Sequence, residues 1–309
     1  MTEPILHCAS RSFKQSELLV YAVVLNWNSY EESVRCVLAL EGLDYSNLKI
    51  ILVDNASSDG SGVRLNQKFP AYTFIQTATN LGYAGGNNQA IRSALRDGAE
   101  FIWIINPDVI VINSSLAVMV RAMNEDASIG VCGPRILNGV HSEIEVFDGS
   151  FVCSEEGYAA RPCKVETGSE LLPDVVDTEG VIGCSMLVRA SVFKQIGLLR
   201  EDFFLYLEET EFCLRAHARG WRVTVCRKAI NEHRWNFRKK GGIDAYYFTR
   251  NRVLLARILR RHVWRTVWIC LGVPNIRKVK FLDWLRVIYR NYKPVFYGLF
   301  QPLRPIPKW

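Results

Sequence analysis

Acidic side chains follow apolar runs at three places in the sequence. Two of these runs end at Asp54 and Asp108, and a third is followed by the cluster Glu208, Glu209 and Glu211. Each position has an ordinary structural explanation: a helix cap, a β-turn, or acids favoured by the dipole at a helix N-terminus. A carboxylate at the end of a buried run can also accept hydrogen bonds from a nucleotide, bind a hard divalent cation, or take a proton from a hydroxyl group.

The turn Asn106-Pro-Asp108 suits a cation that prefers oxygen ligands. It comes directly after the apolar residues 101–105, so a strand would deliver its carboxylate to a turn. Mg²⁺ and Mn²⁺ take such ligands, and Mg²⁺ in particular shares its remaining positions with water and phosphate oxygens. His233 ends another predicted strand, although most histidines in such places are surface residues. From the residues alone, both the turn and the metal interpretation stay open.

The stretch Asn80-Leu-Gly82-Tyr-Ala-Gly-Gly-Asn-Asn places small residues at the start of a predicted helix. It matches neither the P-loop nor the dinucleotide fingerprint, so both of those cofactor interpretations are discarded. Backbone amides at a helix N-terminus can still approach a phosphate group. Asn80 and Gly82 are therefore kept as candidates for contact with a phosphorylated ligand.

The elements that position these residues alternate between strands and helices. Continuous apolar strands separated by helices predict an α/β fold with a mostly parallel, Rossmann-like sheet and helices on both faces. Ligands bind such sheets at the carboxyl ends of the strands. A poorly periodic stretch at 141–177 is interpreted as a hairpin and a long loop. The predicted strands are 19–26, 49–53, 73–76, 101–105, 181–189, 222–226 and 229–233, and the predicted helices are 30–41, one ending near 97, 190–196, 208–219 and 245–261.

The composition indicates a globular protein in a reducing compartment. Of 309 residues, 49% are apolar and 22% are charged, which excludes disordered, collagen-like and coiled-coil chains. No run reaches the ~18–20 apolar residues of a membrane-spanning helix, and the polar N-terminus does not resemble a signal peptide. The nine cysteines occur singly, so we expect reduced, packed thiols rather than a zinc site. These features predict a cytoplasmic protein.

The charge is divided unevenly along the chain. Residues 234–309 contain 18 Lys and Arg against two Asp, a net charge of +16, whereas residues 1–233 carry −9. Aromatic residues are interleaved with these basic ones, a composition typical of segments at a lipid–water interface. Alternatively, the basic side chains could simply cover solvent-exposed helix faces. The mixture of basic and aromatic residues instead favours peripheral attachment to an anionic membrane surface on the cytoplasmic side. Four prolines, Pro294, Pro302, Pro305 and Pro307, argue against a continuous helix in the last stretch.

Several motifs in a fixed order resemble the family 2 glycosyltransferases, and most closely their rhamnosyltransferase-like branch. They are Asp-x-Ser-x-Asp from Asp54, the stretch from Asn80 to Asn88, Asn-Pro-Asp, Gly183-Cys-Ser-Met-Leu-Val-Arg, Phe-Phe-Leu-Tyr-Leu-Glu-Glu-Thr-Glu, Gly-Trp at 220–221, and His233. The resemblance covers residues 20–252. It implies a GT-A fold with an extension at 1–18, a nucleotide-sugar-binding half at 19–140, an acceptor-binding and catalytic half at 141–243 and a helical basic tail at 244–309.

The resemblance implies transfer of a sugar from a nucleoside-diphosphate donor, with inversion, and usually with Mg²⁺ or Mn²⁺. By similarity, Asp54 would contact the base or ribose of the donor, and the backbone around Asn26 would line the same pocket. Asn106 and Asp108 stand where the family has its Asp-x-Asp metal motif. Asp108 would then be the main carboxylate ligand, and His233 matches a histidine that completes the metal site in some members.

The resemblance also assigns the acid–base chemistry. The pair Glu208-Glu209 matches the family's Glu-Asp pair, whose second member is the general base. Glu209 has a longer side chain than the usual Asp, so Glu208 is the second candidate. The branch favours dTDP-rhamnose as donor, with UDP-sugars as an alternative, and a saccharide acceptor, plausibly lipid-linked.

Three other classes of protein fit parts of the sequence. A nucleotidyltransferase would share the sheet and the cation, but it is expected to have a Gly-rich, basic loop after the first strand, where Asn26-Trp-Asn-Ser-Tyr stands. A nucleic-acid-binding protein could use the basic tail, yet no recognised motif is present and the acidic first part would repel phosphates. A catalytically inactive relative that acts as a binding partner is kept open by the Glu-for-Asp changes.

Overall fold

The computed structural model describes residues 17–140, 143–165, 173–234, 242–272 and 281–309. Nearly all of the predicted extension at 1–18 therefore lies outside the described residues. Within them, the chain forms an α/β structure around one large twisted sheet whose strand order is β3-β2-β1-β4-β10-β6-β11-β5, with β7 and β8 added beyond β6 and β9 beside β11.

The first half of the sheet is parallel, as the sequence predicts. Its strands are β1 (Val20–Asn26), β2 (Leu48–Asp54), β3 (Thr73–Gln76) and β4 (Phe101–Ile105). The helices α1 (Tyr30–Glu41), α2 (Ser61–Lys68) and α3 (Gly82–Arg96) connect them.

Two apolar cores cover the two faces of this sheet. Along β1, Val20, Ala22 and Val24 belong to one core, whereas Tyr21 and Val23 belong to the other. Successive side chains of a strand point to opposite faces, so a continuous apolar run is what a strand buried on both sides requires. The same alternation holds in β4.

The second half of the sheet is mixed. It contains β5 (Val109–Val111), β6 (Ile129–Val140), β7 (Glu143–Cys153), β8 (Ala159–Lys164), β9 (Val175–Asp177), β10 (Ser185–Arg189) and β11 (Arg222–His233), with α4 (Ser115–Glu125), α5 (Ala190–Ile196) and α6 (Glu208–His217). Because β10, from the predicted acceptor half, pairs antiparallel with both β4 and β6 of the predicted nucleotide half, the two predicted halves share one uninterrupted sheet.

The strand β11 corrects one boundary. The sequence predicts two strands, at 222–226 and 229–233, but a single strand covers both and pairs parallel with β6. A register shift between Cys226 and Ile230 interrupts the pairing. Such a bulge breaks the alternation of side chains locally, which explains why the sequence pattern is divided there.

Three helices follow the sheet: α7 (Ile243–Leu259), α8 (Val263–Cys270) and α9 (Phe281–Phe300). The expectation that prolines prevent a continuous helix is wrong for Pro294, which lies inside the 20-residue helix α9. A proline inside a helix costs about 3 kcal/mol, and here tertiary packing offsets that cost. The side-chain amide of Asn291 donates a hydrogen bond to the backbone carbonyl of Cys270, and Val295 packs with Val253. The other three prolines lie beyond Phe300, where no helix is present.

Within the described residues, no helix has both the length and the apolar character that crossing a bilayer requires.

Candidate active site

The carboxylate of Asp54 is enclosed by hydrogen-bond donors at the carboxyl ends of β1, β2 and β3. One oxygen accepts from the side chains of Asn26 at 2.7 Å and Ser57 at 2.6 Å. The other accepts from the Ser57 amide at 3.0 Å and the Gln76 side-chain amide at 2.7 Å. A carboxylate has about four acceptor positions, so this arrangement leaves none for the base or ribose predicted to contact Asp54. The residue, 1% exposed, instead ties three strand ends together.

The polar groups of Asn26 also form hydrogen bonds within the protein. Its side-chain amide donates to Ser61 at 2.8 Å, and its side-chain oxygen accepts from the Ser33 hydroxyl at 2.9 Å. Its backbone carbonyl accepts from the Asn55 amide at 2.9 Å, so the backbone contact expected for a nucleotide is occupied as well. Asn26 therefore supports the floor of the predicted nucleotide pocket.

The Gly-rich stretch joins two parts of the chain. The side-chain amide of Asn55, a residue that the sequence reasoning did not single out, donates to Asn80 at 3.0 Å and to the Gly82 carbonyl at 3.1 Å. Gly82 has φ +73°, and a Cβ there would meet the Phe204 carbonyl at 2.3 Å. The next amide, that of Tyr83, donates to the same carbonyl at 2.6 Å. Asn80 is therefore bound to Asn55 and to the Gly82 amide, while Gly82 and the Tyr83 amide lie against the segment before α6.

Asp108 and His233 are brought together by strand pairing. β5 runs antiparallel to β11 with Val109 opposite His233, so the carboxylate just before β5 lies beside the imidazole. The His233 Nε2 atom is 3.2 Å from the Asp108 Oδ2 atom. Alternation along β11 turns Glu232 to the other face, and Asn231 donates to the Ser185 hydroxyl. Of these three consecutive residues, His233 is the one beside Asp108.

The electrostatics of this pair favour an ionised carboxylate. Burial raises the pKa of Asp108, but the hydrogen bond and charge of His233 outweigh burial and lower it below its usual range. Burial lowers the pKa of His233, but Cys184 and Asp108 raise it to about 10. Asp108 is 51% exposed and His233 is 14% exposed, so the pair is open to solvent on the side of the carboxylate.

Once the His233 imidazole releases the proton that its raised pKa retains in the absence of a metal, the donor atoms here fit a divalent cation that is completed by other oxygen ligands. Two ligands at about 2.1–2.2 Å and at right angles lie about 3.0–3.1 Å apart, close to the separation of the Asp108 and His233 atoms. The buried Oδ1 atom of Asn106 has no hydrogen-bond donor among the described residues. Among those residues, no group of three or more His, Cys, Asp and Glu side chains is placed to hold a metal ion without other ligands. The set thus suits a cation that shares its coordination with water and diphosphate oxygens.

The three acids at the start of α6 have different environments. Glu211 accepts from Arg215 at 2.8 Å, and this arginine also donates to the Leu198 carbonyl, so Glu211 is structural. Glu208 is 4% exposed, and burial followed by the charge of Glu209 raises its pKa well above the usual range. Burial and the neighbouring charge therefore both favour the protonated form of Glu208, which makes it the less suitable of the two as a base. Glu209 is half-buried and accepts a hydrogen bond from the Thr210 hydroxyl at 3.2 Å.

The metal candidates and the acid candidate meet at residues 183–184. The backbone amide of Asn106 donates to the Cys184 carbonyl at 2.9 Å. One residue earlier, a Cβ on Gly183 would lie 3.0 Å from the Cγ atom of Glu209. A bulkier residue at 183 would therefore collide with the acid. The end of β4 and the start of α6 thus flank the same two residues.

Tyr83 confirms this proximity and was not singled out from the sequence. Its hydroxyl donates to the Gly183 carbonyl at 2.7 Å. Burial raises its pKa well above 10, and the charges of Glu208, Glu209 and Asp108 add to that effect. One phenol thus lies within electrostatic range of both acid groups. Its position inside the motif Asn-Leu-Gly-Tyr-Ala-Gly-Gly was the available signal.

The family of the chain follows from this fold and from comparison with known proteins. Residues 21–197, more than half of the chain, match the family model described as Glycosyl transferase family 2. The protein belongs to this family, as the order of its motifs predicts. The fold is GT-A: a crystal structure of GalNAc-T7 with UDP, GalNAc and Mn²⁺ superposes with a TM-score of 0.67 at 10% identity, covering 93% of this chain and 57% of that one.

Two relatives of known name are similar in sequence. A low-salt glycan biosynthesis hexosyltransferase, Agl10, of Haloferax volcanii is 29% identical over 208 residues, covering 66% of this chain and 63% of the relative. An N-acetylglucosaminyl-diphospho-decaprenol L-rhamnosyltransferase of Mycobacterium tuberculosis is 25% identical over 201 residues, covering 56% of this chain and 62% of the relative. The chain thus spans less than two thirds of the length of either relative.

Proposed function

We propose that the protein is an inverting glycosyltransferase that moves a sugar from a nucleoside-diphosphate donor to a hydroxyl group of a saccharide. The observation that carries this proposal is that Asp108 with His233 and the acid Glu209 flank the same short segment at 183–184. A transferase needs both a site for the leaving diphosphate and a proton acceptor for the attacking hydroxyl. Membership of the family argues against the nucleotidyltransferase alternative.

In the proposed reaction, Glu209 accepts the proton of the acceptor hydroxyl. The acceptor oxygen forms a bond to the anomeric carbon as the bond from that carbon to the diphosphate oxygen breaks on the opposite face, so the configuration inverts. The base must lie within about 2.6–3.2 Å of the hydroxyl and must be ionised. The raised pKa of Glu208 suits this requirement, because two adjacent charged carboxylates would raise each other's pKa, and protonation of Glu208 relieves that repulsion.

Asp108 and His233, with the side-chain oxygen of Asn106, are the residues that would hold a divalent cation. Such a cation acts as a Lewis acid for the leaving diphosphate. An imidazole ligand shifts the preference from Mg²⁺ towards Mn²⁺. The protein contributes the Asp108 Oδ2 atom, just after β4, and the His233 Nε2 atom, at the end of β11, which lie 3.2 Å apart.

Similarity to a rhamnosyltransferase favours dTDP-rhamnose as donor. The structural neighbour with UDP keeps UDP-sugars as the alternative. The name of the rhamnosyltransferase includes a decaprenol diphosphate. This supports a lipid-linked saccharide as the acceptor and a cytoplasmic location at the membrane surface.

The outer face of α9 supports the peripheral membrane part of the proposal. Tyr289, Tyr292, Phe296 and Phe300 are between 49% and 79% exposed, and their spacing of three and four residues places them on one side of the helix. Exposed basic residues, Arg290 and Lys293, lie among them. Aromatic rings beside basic side chains fit the headgroup region of an anionic bilayer.

A donor panel tests the transferase proposal. The protein is incubated with dTDP-rhamnose and a series of UDP-sugars, with Mn²⁺ and a lipid-linked saccharide, and the anomeric configuration of the product is read by NMR. We expect one donor to be consumed with inversion. Retention of configuration would refute the mechanism, and no turnover of any donor would favour the inactive relative that serves as a binding partner.

Flotation with liposomes tests the membrane face. We expect binding to vesicles that contain anionic lipid, weakened by salt, and a loss of about tenfold or more for Arg290→Ala with Lys293→Ala, since each basic residue near the surface contributes about 1 kcal/mol. Phe151→Ser, which removes an exposed aromatic ring from β7 instead, should leave binding unchanged. Equal binding to neutral vesicles would contradict the proposal.

A further inference from the structure

The segment immediately before the acidic helix has an unusual backbone. Phe204, Tyr206 and Leu207 have φ angles of 62°, 71° and 69°, in the left-handed region that non-glycine residues rarely adopt. Such conformations cost free energy and persist only where the surroundings enforce them. Leu207 is also the residue that precedes the first turn of α6. The conformation of 203–207 therefore sets where Glu208 and Glu209 lie.

Two adjacent residues of α7 bind the carbonyl groups of this segment. The side-chain amide of Asn251 donates to the carbonyls of Phe203 at 3.0 Å, Leu205 at 2.7 Å and Tyr206 at 2.7 Å. The Arg250 guanidinium donates to the Phe203 carbonyl at 3.1 Å and also to the Asp202 carbonyl. One short side chain thus bridges three carbonyls of a strained loop.

The environment of Asn251 argues for more than packing. The residue is 0% exposed, and its side-chain oxygen has no hydrogen-bond donor among the described residues. A buried acceptor without a donor is unfavourable, and the three hydrogen bonds from the side-chain nitrogen offset that cost by pairing carbonyls of the strained loop. The amide is therefore placed to hold the backbone of 203–207.

Aromatic contacts and α3 complete the enclosure of the loop. Phe204 stacks on Tyr247 at 5.0 Å and Tyr206 stacks on Phe248 at 4.3 Å, both partners lying in α7. From the opposite side, the Tyr83 amide binds the Phe204 carbonyl. The loop is therefore held between the start of α3 and the first turns of α7.

We propose that Asn251, assisted by Arg250, is a positioning residue for the base: it holds 203–207 in the conformation that directs Glu209 to the acceptor hydroxyl. The inference rests on the proposed function, since it supposes that Glu209 takes the proton. It concerns rate rather than donor binding, because neither residue contacts the Asp108–His233 pair in the described structure.

The test compares Asn251 variants with a matched control on the same helix. Asn251→Ser keeps one donor in a smaller side chain, and Asn251→Asp keeps the shape but turns an acceptor towards three carbonyls. Arg257→Ala removes two hydrogen bonds from α7 to the carbonyls of Gly298 and Gln301, at 2.8 and 3.0 Å, without touching the loop. Hydrogen exchange of 203–209, nucleotide affinity by calorimetry, and kcat are measured for each, below the unfolding temperature.

We expect faster exchange at 203–209 and a fall in kcat of at least about tenfold for Asn251→Ser, with a larger fall for Asn251→Asp, while nucleotide affinity changes less than about threefold. Arg257→Ala should retain kcat and loop protection. Unchanged exchange in the Asn251 variants, or faster exchange with unchanged kcat, would overturn the inference. An inactive wild-type protein would instead refute the proposed function, and the exchange measurement would still report whether Asn251 holds the loop.

Discussion

Two polar clusters lie at the carboxyl edge of the same sheet, and they differ in how well their hydrogen bonds are satisfied. Around Asp54 every acceptor of the carboxylate is matched by an internal donor. Around residues 183–184, the side-chain oxygen of Asn106 and one carboxylate oxygen of Glu208 are buried without a donor among the described residues. Buried polar groups are normally paired, so the second cluster is the one whose groups await a ligand.

The contrast separates framework from chemistry. A hydrogen-bond network in which every group is paired stabilises one arrangement and leaves no donor or acceptor free to bind a substrate. An unsatisfied one costs stability and is retained where binding or catalysis repays it. By this criterion, we assign Asp54 and Asn26 to the framework of the proposed nucleotide pocket, and Asp108, His233 and Glu209 to the proposed chemistry.

The largest expected effect concerns the acid pair. Glu209→Gln should lower kcat by about 10²–10⁴-fold, the contribution of a general base, while nucleotide binding survives. Glu208→Gln is the matched control: burial favours the protonated form of Glu208 and Glu209 is the proposed base, so an amide of the same shape at 208 should keep activity within about threefold. Steady-state kinetics on both variants measure this. If Glu208→Gln were the inactive one, the assignment of the base would move to Glu208.

The next effect concerns the proposed cation. Asp108→Ala removes the carboxylate beside His233, so nucleotide affinity measured by calorimetry with Mn²⁺ should fall by about 10–100-fold, towards the value measured with EDTA. Glu232→Gln, on the opposite face of β11, should bind as the wild type does. An Asp108→Ala protein with unchanged Mn²⁺-dependent affinity would remove Asp108 from the site.

The regular elements could be predicted from the sequence because their patterns are local. Strand 101–105 and the helices 30–41 and 190–196 lie where the apolar periodicity puts them. Two features depended on distant contacts. Helix α9 passes through Pro294 because its buried face packs on α7 and α8, and β11 contains a bulge fixed by its pairing with β6.

The candidate site residues can be named from the sequence, whereas their arrangement cannot. Motif order identified Asp108, His233 and Glu209, yet the contact between Asp108 and His233 joins residues 125 apart and exists only because β5 pairs with β11. The sequence also could not show that neighbouring side chains and a backbone amide donate hydrogen bonds to all acceptor positions of the Asp54 carboxylate. The residue types suggest which side chains could bind a cation or accept a proton. The pairing of distant strands determines which of those side chains lie together and which are bound by neighbouring donors.

The smallest expected effect on catalysis, and the sharpest check of the contrast, is at Asp54. Asp54→Asn turns an amide towards donors that now bind a carboxylate, so the free energy of unfolding should fall by about 2–4 kcal/mol. Because the residue supports the pocket without touching the diphosphate, kcat of the folded protein should change less than about threefold. Urea unfolding and kinetics on the same sample measure both. Asp59→Asn, which affects one local bond to the Ser61 amide at the surface, should be nearly silent. A stable Asp54→Asn protein that has lost donor affinity would mean that Asp54 opens to the nucleotide, and the distinction between the two clusters would fail.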